Sequence, residues 1–583
     1  MKKTRTMKKV ASIATAALMT ACLAVPMAVS AATAETGGLT ISFNTQDETD
    51  KGIHKFEAYQ IFSGTMSGGV LTEINWGDAV SGVSDSILTA LKASTTLGDL
   101  FKNCETAEDV AKVLGGTKTE TIEGVEQTSA VFEDDAALAQ EVAKIIGNAI
   151  NANAGAVTSG QFNAATDTTP ASISKLPAGY YLIQDVDGSP SYEDGADNSG
   201  AKTRYILKLT AENAQVEIKS AAPTVDKQVL DEVADAEEGH EEGWGETADH
   251  AINETFQFKL IATIPANSDL AAYNAYKLIF SDVMSEGVSF ESVESVAVAG
   301  YTGDVAYTLS DNVNSLDDGK TFDGDGSTAW TLTIADLLDY DNNLTDGATV
   351  EIIYNAHLNT DAYVNDASGD TTNANTVKLN YSNNPYWDGT VGSDSDETGE
   401  TKEDTVWVFT YQINNTKVDA SNNNAPLAGV KFGLYDSTGN NRIALAYDNE
   451  LKAYRLAVDD EPGVDMESTL NADESAAVFN IVGLDVGTYV LKEIQPLAGY
   501  NRCPDTTITI TAKHIEDADE AGATVDLTGS QNMSNEIQNK KGTTLPGTGG
   551  IGTTLFYLIG GTMFAGSGVY LISKKRMKNK EEQ

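Results

Sequence analysis

TFQFKLIATI, Thr255–Ile264, places Phe256, Phe258, Leu260, Ala262 and Ile264 on one face of an extended chain, with Thr255, Gln257, Lys259 and Thr263 on the other. A period of two is what a half-buried strand requires, because successive side chains point to opposite faces. The alternation recurs at Gly38–Phe43, Thr203–Leu209, Ala348–Tyr354, Val406–Ile413 and Thr506–Thr511. Turn-forming pairs lie between these runs: Asp187-Gly188, Asp194-Gly195, Asp346-Gly347 and Asn384-Pro385. Ala79–Ile150 departs from the pattern. Ile87, Leu88 and Leu91, then Leu138, Val142, Ile145 and Ile146, are spaced as on a helix face. The expectation is a mainly β chain whose first domain is mixed, with a helical insertion.

A chain of 583 residues is too long for one hydrophobic core. Composition shifts divide it. Residues 1–34 lead into a first domain over 35–219, and Ala221-Ala222-Pro223 forms a hinge. A middle domain covers 220–400 and closes near the acidic, Gly/Ser-rich run Gly389–Glu400; a third covers 401–541, and 542–583 forms the C-terminal segment. Leu176–Asp185 (LPAGYYLIQD) parallels Leu484–Glu493 (LDVGTYVLKE): a Gly turn, an aromatic strand and an acid at its end. This suggests related immunoglobulin-like β-sandwiches in the first and third domains.

The formal net charge of −48 argues against nucleic-acid binding, which needs basic surface to displace counterions. Of the three cysteines, Cys22 lies in the N-terminal apolar segment, and Cys104 and Cys503 fall in different domains, so no disulfide framework is expected. The five histidines, at 54, 240, 250, 357 and 514, lack metal-ligand spacing, and no metal or cofactor is expected. No nucleophile elbow, zinc-protease motif or phosphate-binding Gly loop is present, so no enzyme activity is expected.

The two ends carry the strongest signals. Lys2, Lys3, Arg5, Lys8 and Lys9 precede an apolar run, Val10–Val29, followed by small residues, as in a secretory signal. At the other end, Ile551–Ile572 is uncharged and exceeds the ~20 residues needed to cross a bilayer. Lys574, Lys575, Arg576, Lys578 and Lys580 follow it and would hold the tail in the cytoplasm. Directly before the span, Leu545-Pro546-Gly547-Thr548-Gly549 resembles the LPxTG sorting signal read by sortases of Gram-positive bacteria. The resemblance implies cleavage between Thr548 and Gly549, capture of Thr548 as a thioester, and its transfer to an amine. Pro546 suits this, since its fixed φ keeps the peptide extended for an enzyme groove.

Tyr489–Tyr500 (YVLKEIQPLAGY) resembles the E-box of Gram-positive pilins, YxLxETxAPxGY, with Ile494 in place of the usual Thr and a displaced proline. Lys417-Val418-Asp419 followed by Pro426–Phe432 resembles the opening of a Cna-B-type domain. With His54–Ser63 (HKFEAYQIFS) and Asn375–Pro385 (NTVKLNYSNNP), the chain as a whole is similar to sortase-assembled major, or backbone, pilins. The family implies tandem Cna-B-type sandwiches in which Lys and Asn side chains join as isopeptide bonds beside a buried acid. Carried onto this sequence, it implies Lys417, Glu493 and Asn539 in the third domain, with Asn535 as rival acceptor, and Lys227, Asp282 and Asn375 in the middle one. Asp185 holds an E-box-like position in the first domain, where no lysine could be assigned.

The family also links subunits through a lysine in a WxxxVxVYPK-like motif. Val216–Lys219 (VEIK) is a degenerate form, which gives Lys219 as the linking residue, with Lys227 as its rival. The implied partners are a class C-type pilin sortase, a housekeeping sortase, further copies head to tail, minor pilins, peptidoglycan and possible host protein or glycan. The implied location is the cell wall. A single-copy wall-anchored adhesin or minor pilin shares the same anchor and domains and is the alternative.

Overall fold

In the computed structural model the described residues run from 39 to 578, except 44–49, 51, 68, 123–124, 131, 133–135, 152–171, 186–198, 203, 210–212, 217–220, 232–242, 266–269, 271–272, 311–327, 341–347, 366–371, 394–396, 459–460, 517–521 and 544–550. The secretory segment, the sorting pentapeptide Leu545–Gly549 and Lys219 therefore lie outside the described residues.

Alternation becomes strand pairing throughout. Thr255–Ile264 lies at the centre of a five-stranded sheet, between Thr224–Asp231 and Ala348–Leu358; Gly243–Gly245 and Val288–Val298 form its edges. Phe256, Phe258, Leu260, Ala262 and Ile264 are all buried, as the period-two pattern requires. The facing sheet contains Thr247–Asp249, Asp404–Phe409, Asn373–Ser382, Leu278–Met284, Thr328–Ile334 and Thr308–Leu309. One apolar core fills the space between these sheets.

Asp404–Phe409, assigned from sequence to the third domain, pairs antiparallel with Asn373–Val377 and belongs to the middle sandwich. The chain then continues extended through Thr410 into Tyr411–Asp419, the central strand of the next sheet. The unit boundary thus falls at Thr410 rather than 400, in the middle of an alternating run that contains no break to read. Beside this junction, Ile252 N–H donates to Gly483 O at 3.0 Å. Gly483 has φ +71°, and a Cβ there would lie 2.3 Å from the Ile252 side chain, so only glycine fits the close approach.

In the third unit, Tyr411–Asp419 pairs with Ile481–Leu484, with Ala477–Val478 and, in parallel, with Ser534–Asn539. The opposing sheet is Met466–Glu467, Lys431–Tyr435, Gly487–Gln495 and Thr506–Ile510. In the first unit, Val70–Trp76, Phe56–Ser67, Gly179–Asp185 and Arg204–Leu209 form one sheet. Ser172–Leu176, Leu39–Phe43 and Ala214–Val216 form the other.

Helices Ser84–Ala93, Gly98–Phe101, Ala107–Leu114 and Ala136–Asn151 supply most of a further core that also takes in side chains of the larger sheet. The helical reading of 79–150 missed a hairpin, Thr117–Ile122 with Val125–Ala130. Its strands pair only with each other, and the sequence there is Thr/Glu/Gln-rich with no apolar phase to detect. At the C-terminus, Ile551–Lys578 is one helix whose Leu555–Lys574 portion is long and apolar enough to cross a membrane.

Candidate isopeptide sites in the sandwich cores

The third-unit site follows from strand phase. Tyr411, Ile413, Asn415, Lys417 and Asp419 alternate inward, so the lysine occupies a core position and is fully buried. The parallel neighbour Ser534–Asn539 sets Ile537 opposite Lys417 and Asn539 opposite Asp419, which puts Asn539 diagonally across from the lysine on the same face. Glu493 enters from the opposing sheet, in register with Phe432. It is 1 % exposed.

Asn539 Nδ2 donates to Glu493 Oε1 at 2.9 Å, and the Cys503 N–H donates to Oε2 at 3.1 Å. Lys417 Nζ donates to Ile537 O at 2.8 Å, two residues before the asparagine on the same strand. Among the described residues, the buried Asn539 carbonyl oxygen has no hydrogen-bond donor. Burial lowers the Lys417 amine below the ordinary lysine range, against the opposing pull of nearby Cys503, Glu493 and Asp419. The rival acceptor Asn535 instead donates to Asn415 Oδ1 at 3.0 Å and to Asn532 O at 2.7 Å, away from Glu493.

In the middle unit, Lys227 lies on Thr224–Asp231, and Asp282 and Asn375 lie on paired strands of the facing sheet. All three are buried to within 1 %. Lys227 Nζ contacts Asp282 Oδ2 directly. The Tyr354 hydroxyl joins the group: it accepts from Lys227 Nζ at 3.1 Å and from Asn375 Nδ2 at 2.7 Å, and donates to Asp282 Oδ2 at 3.1 Å. Phe258 and the Tyr354 ring lie 5.3 and 5.4 Å from Nζ, and Trp330 and Phe290 pack against Tyr354. Burial lowers the Lys227 amine and raises the Asp282 carboxyl, each opposed by the other's charge. Both shifts favour the neutral amine and neutral acid. A lysine this enclosed cannot reach another subunit.

The first unit repeats the frame with different chemistry. Tyr181 OH donates to Pro177 O at 2.7 Å, and Tyr489 OH donates to Asp485 O at 2.9 Å, at matching positions of the two self-similar segments. Asp185 therefore occupies the position equivalent to Glu493. Its buried neighbour is His54, whose Nδ1 is 2.9 Å from Asp185 Oδ1 while Nε2 is 2.7 Å from Asp50 Oδ2. Burial alone would lower the imidazole's pKa. The two carboxylates reverse that and raise it to about 10.

Residues 411–524 match the family described as SpaA, a prealbumin-like fold domain, and 537–581 match the LPXTG cell wall anchor motif. The chain is an LPXTG-anchored surface protein. The SpaA-type match begins just after Thr410 and contains Lys417 and Glu493, while Asn539 falls in the anchor match.

The chain is 25 % identical over 422 residues to the trypsin-resistant surface T6 protein of Streptococcus pyogenes serotype M6, covering 65 % of this chain and 73 % of that one. Similar solved structures include the T6 backbone pilin of the same organism, at 16 % identity, TM-score 0.46 and coverage of 87 % and 98 % of the two chains. The full-length major pilin SpaD of Corynebacterium diphtheriae is another, at 16 % identity, TM-score 0.39 and the same coverages.

Two participants in this anchored protein escaped the sequence reading. Cys503, read only as an unpaired thiol, supplies the backbone donor to Glu493; burial and that carboxylate push its thiol up to about 12. Tyr354 entered only as the end of the alternating run Ala348–Tyr354, and its hydroxyl partners come from three other strands. If the group forms an isopeptide bond, Tyr354→Phe is expected to slow its formation by roughly 100-fold, the lower end of the range for a lost proton-transfer partner. Intact mass followed in time after refolding measures this, and an unchanged rate would remove Tyr354 from the site.

Proposed function

We propose that the chain is the repeating subunit of a covalent, wall-anchored pilus, stabilised by Lys417–Asn539 and Lys227–Asn375 isopeptide bonds. The observation that carries the reading is the Lys417, Glu493 and Asn539 group, buried in one core of a protein that ends in an LPXTG anchor. The neutral Lys417 amine attacks the Asn539 side-chain carbonyl carbon. The C–Nδ2 bond breaks, and Glu493, 2.9 Å from Nδ2, moves the proton from Nζ to the departing nitrogen. One amide forms and one ammonia leaves. Holding the groups in one core makes the step unimolecular. Tyr354 and Asp282 supply the equivalent proton path in the middle unit.

Thr548, captured by a pilin-type sortase, is joined to Lys219 of the next copy. A head-to-tail contact that does not close on itself yields a filament. A housekeeping sortase then transfers the filament to peptidoglycan, and minor pilins or host ligands join it. The homology to a surface T6 protein supports this reading.

The test is expression in a Gram-positive host with a pilin-type sortase. A detergent-resistant ladder is expected, lost with Lys219→Ala and with Thr548→Ala. A ladder unaffected by Lys219→Ala would remove that residue as the linker. A single band at subunit mass in the wild type would favour the adhesin reading.

A further inference from the structure

Asp231, Asp249 and His514 converge where the middle unit meets the third. Asp231 ends the strand Thr224–Asp231, Asp249 ends Thr247–Asp249, and His514 lies on Lys513–Glu516, the first strand of a hairpin in the third unit. One donor atom from each lies within 4.8 Å of the other two. His514 Nε2 is 3.1 Å from Asp249 Oδ2, and both side chains are buried.

The surroundings aim the imidazole inward. His514 Nδ1 is 2.9 Å from Thr247 Oγ1. The ring stacks on Phe409 at 4.8 Å between centroids. The Tyr411 hydroxyl donates to Asp249 Oδ1, leaving Oδ2 towards the histidine. In the tautomer whose Nδ1–H donates to Thr247, Nε2 presents a lone pair towards Asp249 Oδ2. Three electron-pair donors at this spacing suit a cation between them, either a proton on Nε2 or a metal. An outer hydrogen bond that fixes the far ring nitrogen is the usual setting of a metal-bound histidine.

We propose that Asp231, Asp249 and His514 form a divalent-cation site of zinc type that clamps the joint between the two sandwiches. Tetrahedral zinc with ligand bonds of about 2.0–2.1 Å separates its ligands by roughly 3.3 Å, close to the His514–Asp249 spacing. One imidazole with two carboxylates suits zinc or manganese better than calcium or magnesium, which favour all-oxygen sets. Water completes the shell. Binding releases to solvent any proton held between Nε2 and Asp249. Two ligands belong to the middle sandwich and the third to the next one, so the ion crosses the joint beside Thr410, where the strand of one sandwich ends and that of the next begins. The histidine spacing in sequence gave no hint, because the ligands are brought together only by the packing of the two units.

The experiment uses the full chain, stripped with chelator and titrated with Zn²⁺ by calorimetry. One equivalent is expected to bind with proton release, and it should raise the thermal midpoint. His514→Gln should abolish both effects. Asp231→Asn should weaken binding by ~100-fold, and Thr247→Val by roughly 10–100-fold. Asp231 is half-buried at a strand end, so its variant serves if His514→Gln misfolds. Absence of stoichiometric Zn²⁺ uptake overturns the site. So does uptake that Asp231→Asn, with wild-type circular dichroism, leaves unchanged, or a preference for Ca²⁺ over Zn²⁺.

Discussion

Glu493→Gln is expected to yield a chain heavier by one ammonia than the wild type, apart from the mass of the substitution itself. Glu493→Gln with Asp282→Asn should restore two. The reason lies in the proton path. Without a titratable group beside Asn539 Nδ2, the attacking amine cannot pass its proton to the leaving nitrogen, and Lys417 stays a free amine in the core.

Stability should fall for two separate reasons. A cross-link closing a loop of about 100 residues or more removes ~5 kcal/mol of unfolded-state entropy in the chain-entropy account. In addition, an unreacted Lys417 leaves an amine buried at 0 % exposure, which costs free energy in either protonation state. A fall of roughly 10–20 °C in the midpoint of the third unit is expected for a domain of this size. Intact-mass spectrometry and calorimetry read the two effects independently. A wild-type chain whose mass equals the full sum of its residues would end the isopeptide account. A wild type lacking two ammonias, with Glu493→Gln lacking two as well, would remove only Glu493's role.

Strand phase carries a signal for this chemistry that the sequence reading did not use. In Tyr411–Asp419 a lysine stands where Tyr411 and Ile413 set the inward face, and in Thr224–Asp231 Lys227 shares phase with buried Val229. A charged residue at an apolar phase is a physical anomaly that any reading of the alternation exposes. Lysines, acids and acceptors alike were reached through the family resemblance; strand phase supports the lysines in the folded sheet, whereas Glu493 lies on the opposing sheet and Asn539 on a strand that pairs in parallel from far along the chain. Nothing local distinguishes Asn539 from Asn535; register does, and register is a property of the folded sheet. The unit boundary at Thr410 was hidden for the converse reason: two strands of different sandwiches are separated by Thr410 alone, and composition does not change there. His54 was noticed within a resembling segment, but its two carboxylates lie on either side of it in the fold, and one of them is 131 residues away.

That histidine gives the first unit a stability that depends on pH in a defined direction. The folded-state pKa of His54 is raised to about 10, whereas an unfolded imidazole titrates near 6.5. The groups facing the ring are Asp50 and Asp185, with Phe56 stacked at 5.6 Å. A raised pKa means that the folded state holds its proton more tightly than the unfolded state. The resulting stabilisation is fully present below pH ~6.5 and is lost progressively as pH rises from there through about 10. At one unit per ~1.4 kcal/mol, the full range corresponds to a loss on the order of 5 kcal/mol.

Hydrogen exchange of amides in Phe56–Ser67 and Gly179–Asp185, followed between pH 6 and 9.5 and corrected for intrinsic rates, should show protection falling in the first unit. Protection in the middle and third units should change little over the same range. His54→Gln should lower protection at pH 6 and flatten the profile, since an amide can bridge both carboxyls without carrying charge. A wild-type first unit with equal protection at pH 6 and 9.5 would mean that the imidazole is not held charged. The equivalent acid position would then do different work in the two units: at Glu493 it would promote the proposed covalent bond, and at Asp185 it would only accept a neutral hydrogen bond.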